Sequence, residues 1–233
     1  MLRFRLFGIP VGVHATFLFL ALLGATMYRG FDIAIWTGAA FVSILLHELG
    51  HALVARGFGA VDVKVTLYGL GGLTSYNHGG VMSHGKSFLI SAAGSTTGIV
   101  AGGAVLLAGR DGAFAGVAPE VAVFLDSFVF TALVWGVLNW IPIVPLDGGH
   151  MVRHLAAMVN EEKAPLFSQV VTWVTVAVVV PLAITNGFPF AAIIVVVFAF
   201  GGLREYRAQK RSKRQTRVPE TPLDRREPPE FPI

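Results

Sequence analysis

The sequence contains no cysteine. Its absence excludes disulfide bonds and thiolate metal sites, so a bound transition metal would need histidine, aspartate or glutamate ligands. Charged residues are also scarce, at 14% of the chain, and they cluster near the N-terminus, in short connections and after Gly202. The remaining stretches are almost uncharged, which is typical of a chain that crosses a membrane several times.

Apolar residues make up 54% of the 233 residues, and the mean hydropathy of +0.67 is too high for an ordinary soluble domain. A helix needs about 20 apolar residues to cross ~30 Å of hydrocarbon. The fold class predicted from this pattern is an all-α polytopic membrane protein with about six transmembrane helices. The predicted spans cover residues 6–28, 33–55, 88–109, 121–141, 164–185 and 188–203.

The first apolar run follows Arg3 and Arg5 and could be a secretory signal. No convincing small-x-small cleavage site follows it, so we predict a retained first span. The distribution of Lys and Arg then orients the chain, because most of these residues fall on one side of the predicted spans and only Arg29 and Arg110 on the other. We expect a multi-pass protein of the cell membrane with both termini in the cytoplasm.

Residues 1–203 are predicted to form one membrane domain, and residues 204–233 a basic, Pro-rich cytoplasmic tail without enough apolar residues to fold. The sequence pI of about 9.7 comes largely from this tail. Its place beside the last span favours a role at the membrane surface or in orientation, and no nucleic-acid partner is expected.

A small β-hairpin is predicted between spans two and three. Apolar residues alternate with polar ones from Val61 to Tyr68, which is the period of a half-buried strand. Gly69, Gly71 and Gly72 supply a turn, and residues 73–76 could return as a second strand. An irregular connecting loop is the alternative.

Near the end of the second span the sequence reads HELGH, from His47 to His51. Histidines four residues apart share one helix face, so both imidazoles can bind one tetrahedral ion while the Glu48 carboxylate reaches a water molecule on it. Such a short match can arise by chance, but ionisable side chains inside a bilayer are costly unless they are paired or bind a metal. HELGH therefore predicts zinc, with His47 and His51 as ligands and Glu48 as the catalytic base.

A third ligand is expected from the run that ends span four, LNWIPIVPLDGGH. Pro142 and Pro145 would interrupt the helix, and Gly148 and Gly149 allow close backbone approach, so Asp147 stands on non-helical backbone at membrane depth. Spans two and four are predicted to run in the same direction, which brings HELGH and this loop to one face of the membrane. We predict that Asp147 is the third ligand.

These two motifs together resemble the site-2 protease family of intramembrane zinc metalloproteases, peptidase family M50. That family pairs HExxH on one span with an NxxPxxxLDG-like run on a later one, and here Asn139, Pro142, Pro145 and the LDG at Leu146–Gly148 match that run. The resemblance extends over most of the chain, from the Gly-Ile-Pro-Val stretch at residues 8–11 to span four.

The resemblance implies that one zinc ion per chain is bound by His47, His51 and Asp147, and that Glu48 activates water. It implies further that Asn139 hydrogen-bonds the substrate or the reaction intermediate. The substrate would be a transmembrane protein within the lipid bilayer.

The resemblance also implies that the strand around Gly71 and Gly72 binds an extended substrate segment by β-augmentation. A helical peptide bond is shielded and must unwind before attack, so such pairing makes chemical sense.

One segment departs from the family pattern. Where the family often has a Gly-Pro-x-x-Asn run in span three, this chain has GSTTG at residues 94–98, so no catalytic role is assigned there. Gly94, Gly98 and Gly102 fall four residues apart and instead predict a close helix-packing face.

Other polar residues are left with open roles. His14 could contact the site or be a packing histidine, and His150 and His154 follow Asp147 closely enough to touch it. Asp126 lies near the outer end of span four, where snorkelling to the membrane surface is the default reading.

The function predicted from the sequence is hydrolysis of peptide bonds of membrane-protein substrates within or near the bilayer, as in regulated intramembrane proteolysis. The alternative is a metal-binding transporter or a proteolytically inactive membrane scaffold. Glu48 separates the two, because a transporter has no need for a non-ligand carboxylate beside the first histidine.

Overall fold

A computed structural model of the chain describes residues 1–69 and 71–215. Two pairs of strands, each followed by helices, lie in the N-terminal part of the chain, and among the described residues helices alone follow from residue 84 onward. The elements are β1 (Leu2–Leu6), β2 (Ile9–Val13), a 3₁₀ turn (Ala15–Leu18), α1 (Phe19–Met27), α2 (Asp32–Gly57), β3 (Val61–Tyr68), β4 (Gly71–Asn77), α3 (His84–Arg110), α4 (Pro119–Asn139), α5 (Asp147–Val159), α6 (Ala164–Thr185) and α7 (Pro189–Gln215).

Within the described residues, five helices are long and apolar enough to cross a membrane: α2, α3, α4, α6 and α7, the last over Pro189–Ala208. They correspond to the second to sixth predicted spans. Helix α7 continues past residue 203, so the predicted tail boundary falls inside it. Residues 216–233 of the predicted tail lie outside the described part of the chain.

The first predicted span, residues 6–28, is wrong in its first half. The chain instead forms β1 and β2, joined by a two-residue turn at Phe7 and Gly8, whose φ angles of 50° and 77° suit a tight hairpin. The apolar helix that remains, Ala15–Met27, is roughly 20 Å long at ~1.5 Å per residue and is too short to cross ~30 Å of hydrocarbon unaided.

The four strands form one sheet in the order β1-β2-β3-β4. Strands β3 and β4 are antiparallel and lie between α2 and α3, while β2 runs parallel to β3 and pairs Val11 with Val65. Strands β3 and β4 are thus half of a sheet whose other half comes from the N-terminus, and Gly71 and Gly72, which were predicted in a turn, belong to β4. Val65 and Leu67 are buried in one core with Leu49 and Ala52 of α2, so the inner face of the sheet packs along the last turns of this helix.

Small residues set the spacing of the central helices. A Cβ atom at Gly50 of α2 would lie 2.8 Å from the Ala93 carbonyl oxygen of α3. At Gly98 and Gly102 it would meet Ala132 of α4, as expected for a helix-packing face. Helices α2, α3 and α4 therefore approach one another closely enough for side chains on all of them to share one site.

The connection from α4 to α5 is tightly folded. A Cβ atom at Gly148 would overlap the carbonyl groups of Trp140 and Ile141, and one at Gly149 would overlap the backbone at Ile143. Only glycine fits this close approach. The loop therefore places Asp147 beside α2 as the first residue of α5, and not on non-helical backbone as predicted.

Candidate metal centre

The predicted ligand residues come together in the structure. The Nε2 atoms of His47 and His51 are 3.1 Å apart, and the Oδ2 atom of Asp147 lies 3.2 Å from the first and 3.3 Å from the second. Ligand atoms on a tetrahedral zinc ion, with bonds of about 2.0–2.1 Å, are about 3.3–3.4 Å apart. The three ligand atoms are therefore spaced as one ion requires. Among the described residues, this is the only group of three such side chains whose ligand atoms converge in this way.

The two histidines owe their position to helix periodicity. They lie one turn apart on α2, and both are buried, with Asp147 more open at 17% side-chain exposure. Two imidazoles and one carboxylate form a nitrogen and oxygen donor set that suits zinc and leaves a coordination position open. An ion held by these three residues would have the open coordination of a reactive site rather than the closed coordination of a structural one.

Two of the predicted ligand residues are held by groups on α3. The Nδ1–H of His51 donates to the Ile90 carbonyl oxygen at 2.6 Å, which leaves the Nε2 lone pair free for a metal. The Ser95 hydroxyl donates to Asp147 Oδ2 at 2.9 Å. A Cβ atom at Gly94 would overlap the imidazole of His51, so Gly94 makes room for this ligand and does not belong to the α3–α4 packing face.

Glu48 lies beside the ligand group but points to the sheet. The Thr74 hydroxyl of β4 is 2.7 Å from Glu48 Oε2 and 2.9 Å from the Glu48 carbonyl oxygen. Gly72 of the same strand packs against the Glu48 side chain so closely that a Cβ atom there would lie 2.6 Å from Oε1. The carboxylate is thus oriented by β4 and is free of the ligand cluster, as a base requires.

A cavity of about 620 Å³ opens over the ligand group. Its lining includes all three predicted substrate-binding residues, Asn139, Gly71 and Gly72. His47, Glu48, His51 and Asp147 also line it. The Nδ2 group of Asn139 donates one hydrogen bond to the Trp135 carbonyl oxygen at 2.9 Å, which leaves its second N–H for another acceptor. Trp135 and Phe198 add apolar walls to this cavity.

The other histidines considered in the sequence divide into two groups. His150 and His154 line the cavity, and burial together with the neighbouring His150, Arg153 and His84 lowers the pKa of His154 to about 4. His14 lies at the start of the 3₁₀ turn, where its ring is 2.8 Å from the Thr16 hydroxyl and its backbone N–H donates to Leu67. Asp126 is exposed on α4 and does not line the cavity.

Sequence reasoning missed Ser95, Thr74 and the Ile90 carbonyl. Ser95 belongs to the GSTTG segment, to which no catalytic role was assigned because it departs from a family pattern. A hydroxyl residue in an apolar helix, one position from the close-packed Gly94, was the signal available. Thr74 and Ile90 carry no such signal, because their roles depend on contacts between distant elements.

The chain is similar to known zinc metalloproteases. A sequence model of peptidase family M50 matches residues 115–182. The chain is 30% identical over 153 residues to "Zinc metalloprotease MJ0392" of Methanocaldococcus jannaschii, covering 64% of this chain and 43% of that protein. It is 34% identical over 117 residues to "Putative zinc metalloprotease Rip3" of Mycobacterium tuberculosis, covering 48% and 28%. The chain thus spans less than half the length of these two relatives.

The fold is also similar to a solved structure. "Site-2 Protease from Methanocaldococcus jannaschii" superimposes with a TM-score of 0.62 at 22% identity, over 88% of this chain and 94% of that one.

Proposed function

Because the chain belongs to peptidase family M50, with the site-2 proteases, we propose that it is an intramembrane zinc metalloprotease. One observation carries the proposal: three ligand atoms at tetrahedral spacing share a cavity with a carboxylate that is not a ligand. His47, His51 and Asp147 would hold one zinc ion, and Glu48 would be the catalytic base. The lack of cysteine leaves this nitrogen and oxygen donor set as the available one.

The chemistry divides between the ion and the chain. A bound zinc ion supplies Lewis acidity to the scissile carbonyl and lowers the pKa of water from 15.7 toward ~7. Glu48, aimed by the Thr74 hydroxyl, accepts the proton of the attacking water and passes it to the leaving amine. The free N–H of Asn139 donates to the oxygen on which negative charge develops.

The substrate would be a transmembrane protein whose segment unwinds beside β4. Within the described residues β4 is an edge strand, paired with β3 alone, so its other edge offers free backbone groups. Gly71 and Gly72 begin this strand at the cavity, with Gly72 against Glu48. An extended peptide added there would pass the base, which fits β-augmentation.

We place the protein in the cell membrane with both termini in the cytoplasm. Strand β2 pairs with β3, which follows the end of α2, so the N-terminal strands and the end of α2 lie at the same end of the bundle. Arg153 of α5 is 3.4 Å from Glu205, so the C-terminal half of α7 also lies at this end of the bundle. Most Lys and Arg residues lie on this side, which favours the cytoplasm.

A Glu48→Gln variant tests the proposal against a metal transporter or an inactive scaffold. Single-span reporter proteins co-expressed with the intact protein should be cleaved, and cleavage should fall by about 10²- to 10⁴-fold in the variant, because a general base is lost. Its zinc content should stay near that of the wild type. Equal cleavage by both proteins would remove Glu48 from the mechanism, and a zinc-loaded wild type that cleaves none of the reporters would favour the transporter or scaffold.

A further inference from the structure

Ser95 is a serine of α3 with no exposed surface. Its hydroxyl donates to Asp147 Oδ2 at 2.9 Å. A buried hydroxyl needs a hydrogen-bond partner. The partner of this hydroxyl is a proposed metal ligand on a different helix.

The oxygen that Ser95 contacts is the one that faces the histidines. Asp147 Oδ2 is within 3.3 Å of both Nε2 atoms. The terminal torsion of an aspartate is broad, so the side chain does not by itself fix the plane in which the carboxylate faces a metal. A hydrogen bond to one lone pair of Oδ2 fixes the plane of the carboxylate and leaves the other lone pair directed at the ligand group.

We propose that Ser95 is a positioning residue of the metal centre, which holds Asp147 so that Oδ2 alone binds the ion. This inference rests on the proposed zinc site. Helix α3 then orients two ligands that belong to two other helices, since its Ile90 carbonyl fixes the ring of His51 in the same way. For His47, the buried Nδ1 atom has no hydrogen-bond partner among the described residues, so α3 gives this ligand no comparable support.

The Ser95 hydroxyl has two opposite effects on zinc affinity. Orientation of the carboxylate strengthens zinc binding, whereas a donor on the ligand oxygen withdraws electron density and weakens it. Orientation dominates here, because Asp147 is the first residue of α5 and its neighbours Gly148 and Gly149 contribute no side chain to hold it. Removing the hydroxyl should therefore weaken zinc binding by about 10- to 100-fold, the usual range for such partners.

The experiment uses the purified full-length protein in detergent, with zinc affinity measured by competition with a chelator. Ser95→Ala should bind zinc about 10- to 100-fold more weakly than wild type. With Co²⁺ in place of zinc, its visible absorption should differ from that of wild type because the carboxylate turns. Ser95→Thr keeps the hydroxyl and should stay close to wild type in both measurements.

Ser127→Ala is the matched control. Ser127 is equally buried on α4, but its hydroxyl donates to Tyr28 Oη at 3.2 Å, away from the ligand group. Equal or tighter zinc binding by Ser95→Ala overturns the positioning role, and so does an equal loss in Ser127→Ala, which would indicate a general packing effect. Failure of the wild type itself to bind zinc would instead overturn the proposed function.

Discussion

Asp147 Oδ2 lies 3.2 Å from His47 Nε2, although α3 and α4 separate the two residues along the chain. The contact exists because the loop after α4 folds back tightly and α5 begins at Asp147 beside α2. The geometry of the metal centre therefore depends on helix packing. Substitutions that alter this packing should change the zinc affinity.

Gly94→Ala should disrupt the metal centre without removing a polar group. The added methyl would overlap the imidazole of His51, which is buried and held by Ile90. We expect zinc affinity to fall by about tenfold or more, as for other changes next to a ligand. Chelator competition measures this affinity.

Gly103→Ala on the same helix is the control, because a Cβ atom there meets nothing within 4 Å. It should keep wild-type zinc affinity and could stabilise α3 slightly. Equal zinc affinity in both alanine variants would show that the ring of His51 moves aside freely.

Thr74→Val should slow hydrolysis while leaving zinc in place. The change is nearly isosteric and removes the hydroxyl that lies 2.7 Å from Glu48 Oε2. A hydrogen bond to a charged group contributes about 1.5 kcal/mol, so kcat/KM should fall about tenfold. Thr96→Val is the comparison, since the Thr96 hydroxyl bonds only within α3, to Ala92. Unchanged kcat/KM in Thr74→Val would mean that Glu48 is oriented by other groups.

The proposed topology predicts where reporter fusions are found. A reporter after Ile233 should lie in the cytoplasm, and one inserted at the connection after Arg110 should lie on the opposite side. Enzyme reporters that are active on one side of the membrane only can measure this. The same location for both fusions would contradict the convergence of α2 and α4 on one face.

The sequence was most informative where residue type and spacing carry the chemistry. HELGH needs only helix periodicity to place His47 and His51 together, and proline and glycine mark the broken helix that delivers Asp147. The structure brings these three residues into one group. Their roles in binding and hydrolysis stay predictions for the variants described above.

The sequence was least informative where an apolar run has two possible structures. Residues 6–13 are apolar enough for a membrane helix, but their pairing with β3, far along the chain, makes them strands. The local sequence likewise does not predict the hydrogen bond from Ser95 to Asp147, because it depends on the distance between two helices. Tertiary contacts decide both cases.

Metal analysis of Asp147→Asn, beside Asp126→Asn, tests the central claim most directly. Asparagine is nearly isosteric with aspartate but neutral and a poorer ligand, so we expect zinc per chain and proteolysis both to fall in Asp147→Asn. Asp126 is exposed on α4 and away from the cavity, so Asp126→Asn should match the wild type in both. Full zinc occupancy and activity in Asp147→Asn would contradict the account and move the third ligand elsewhere, with His150 and His154 the next candidates.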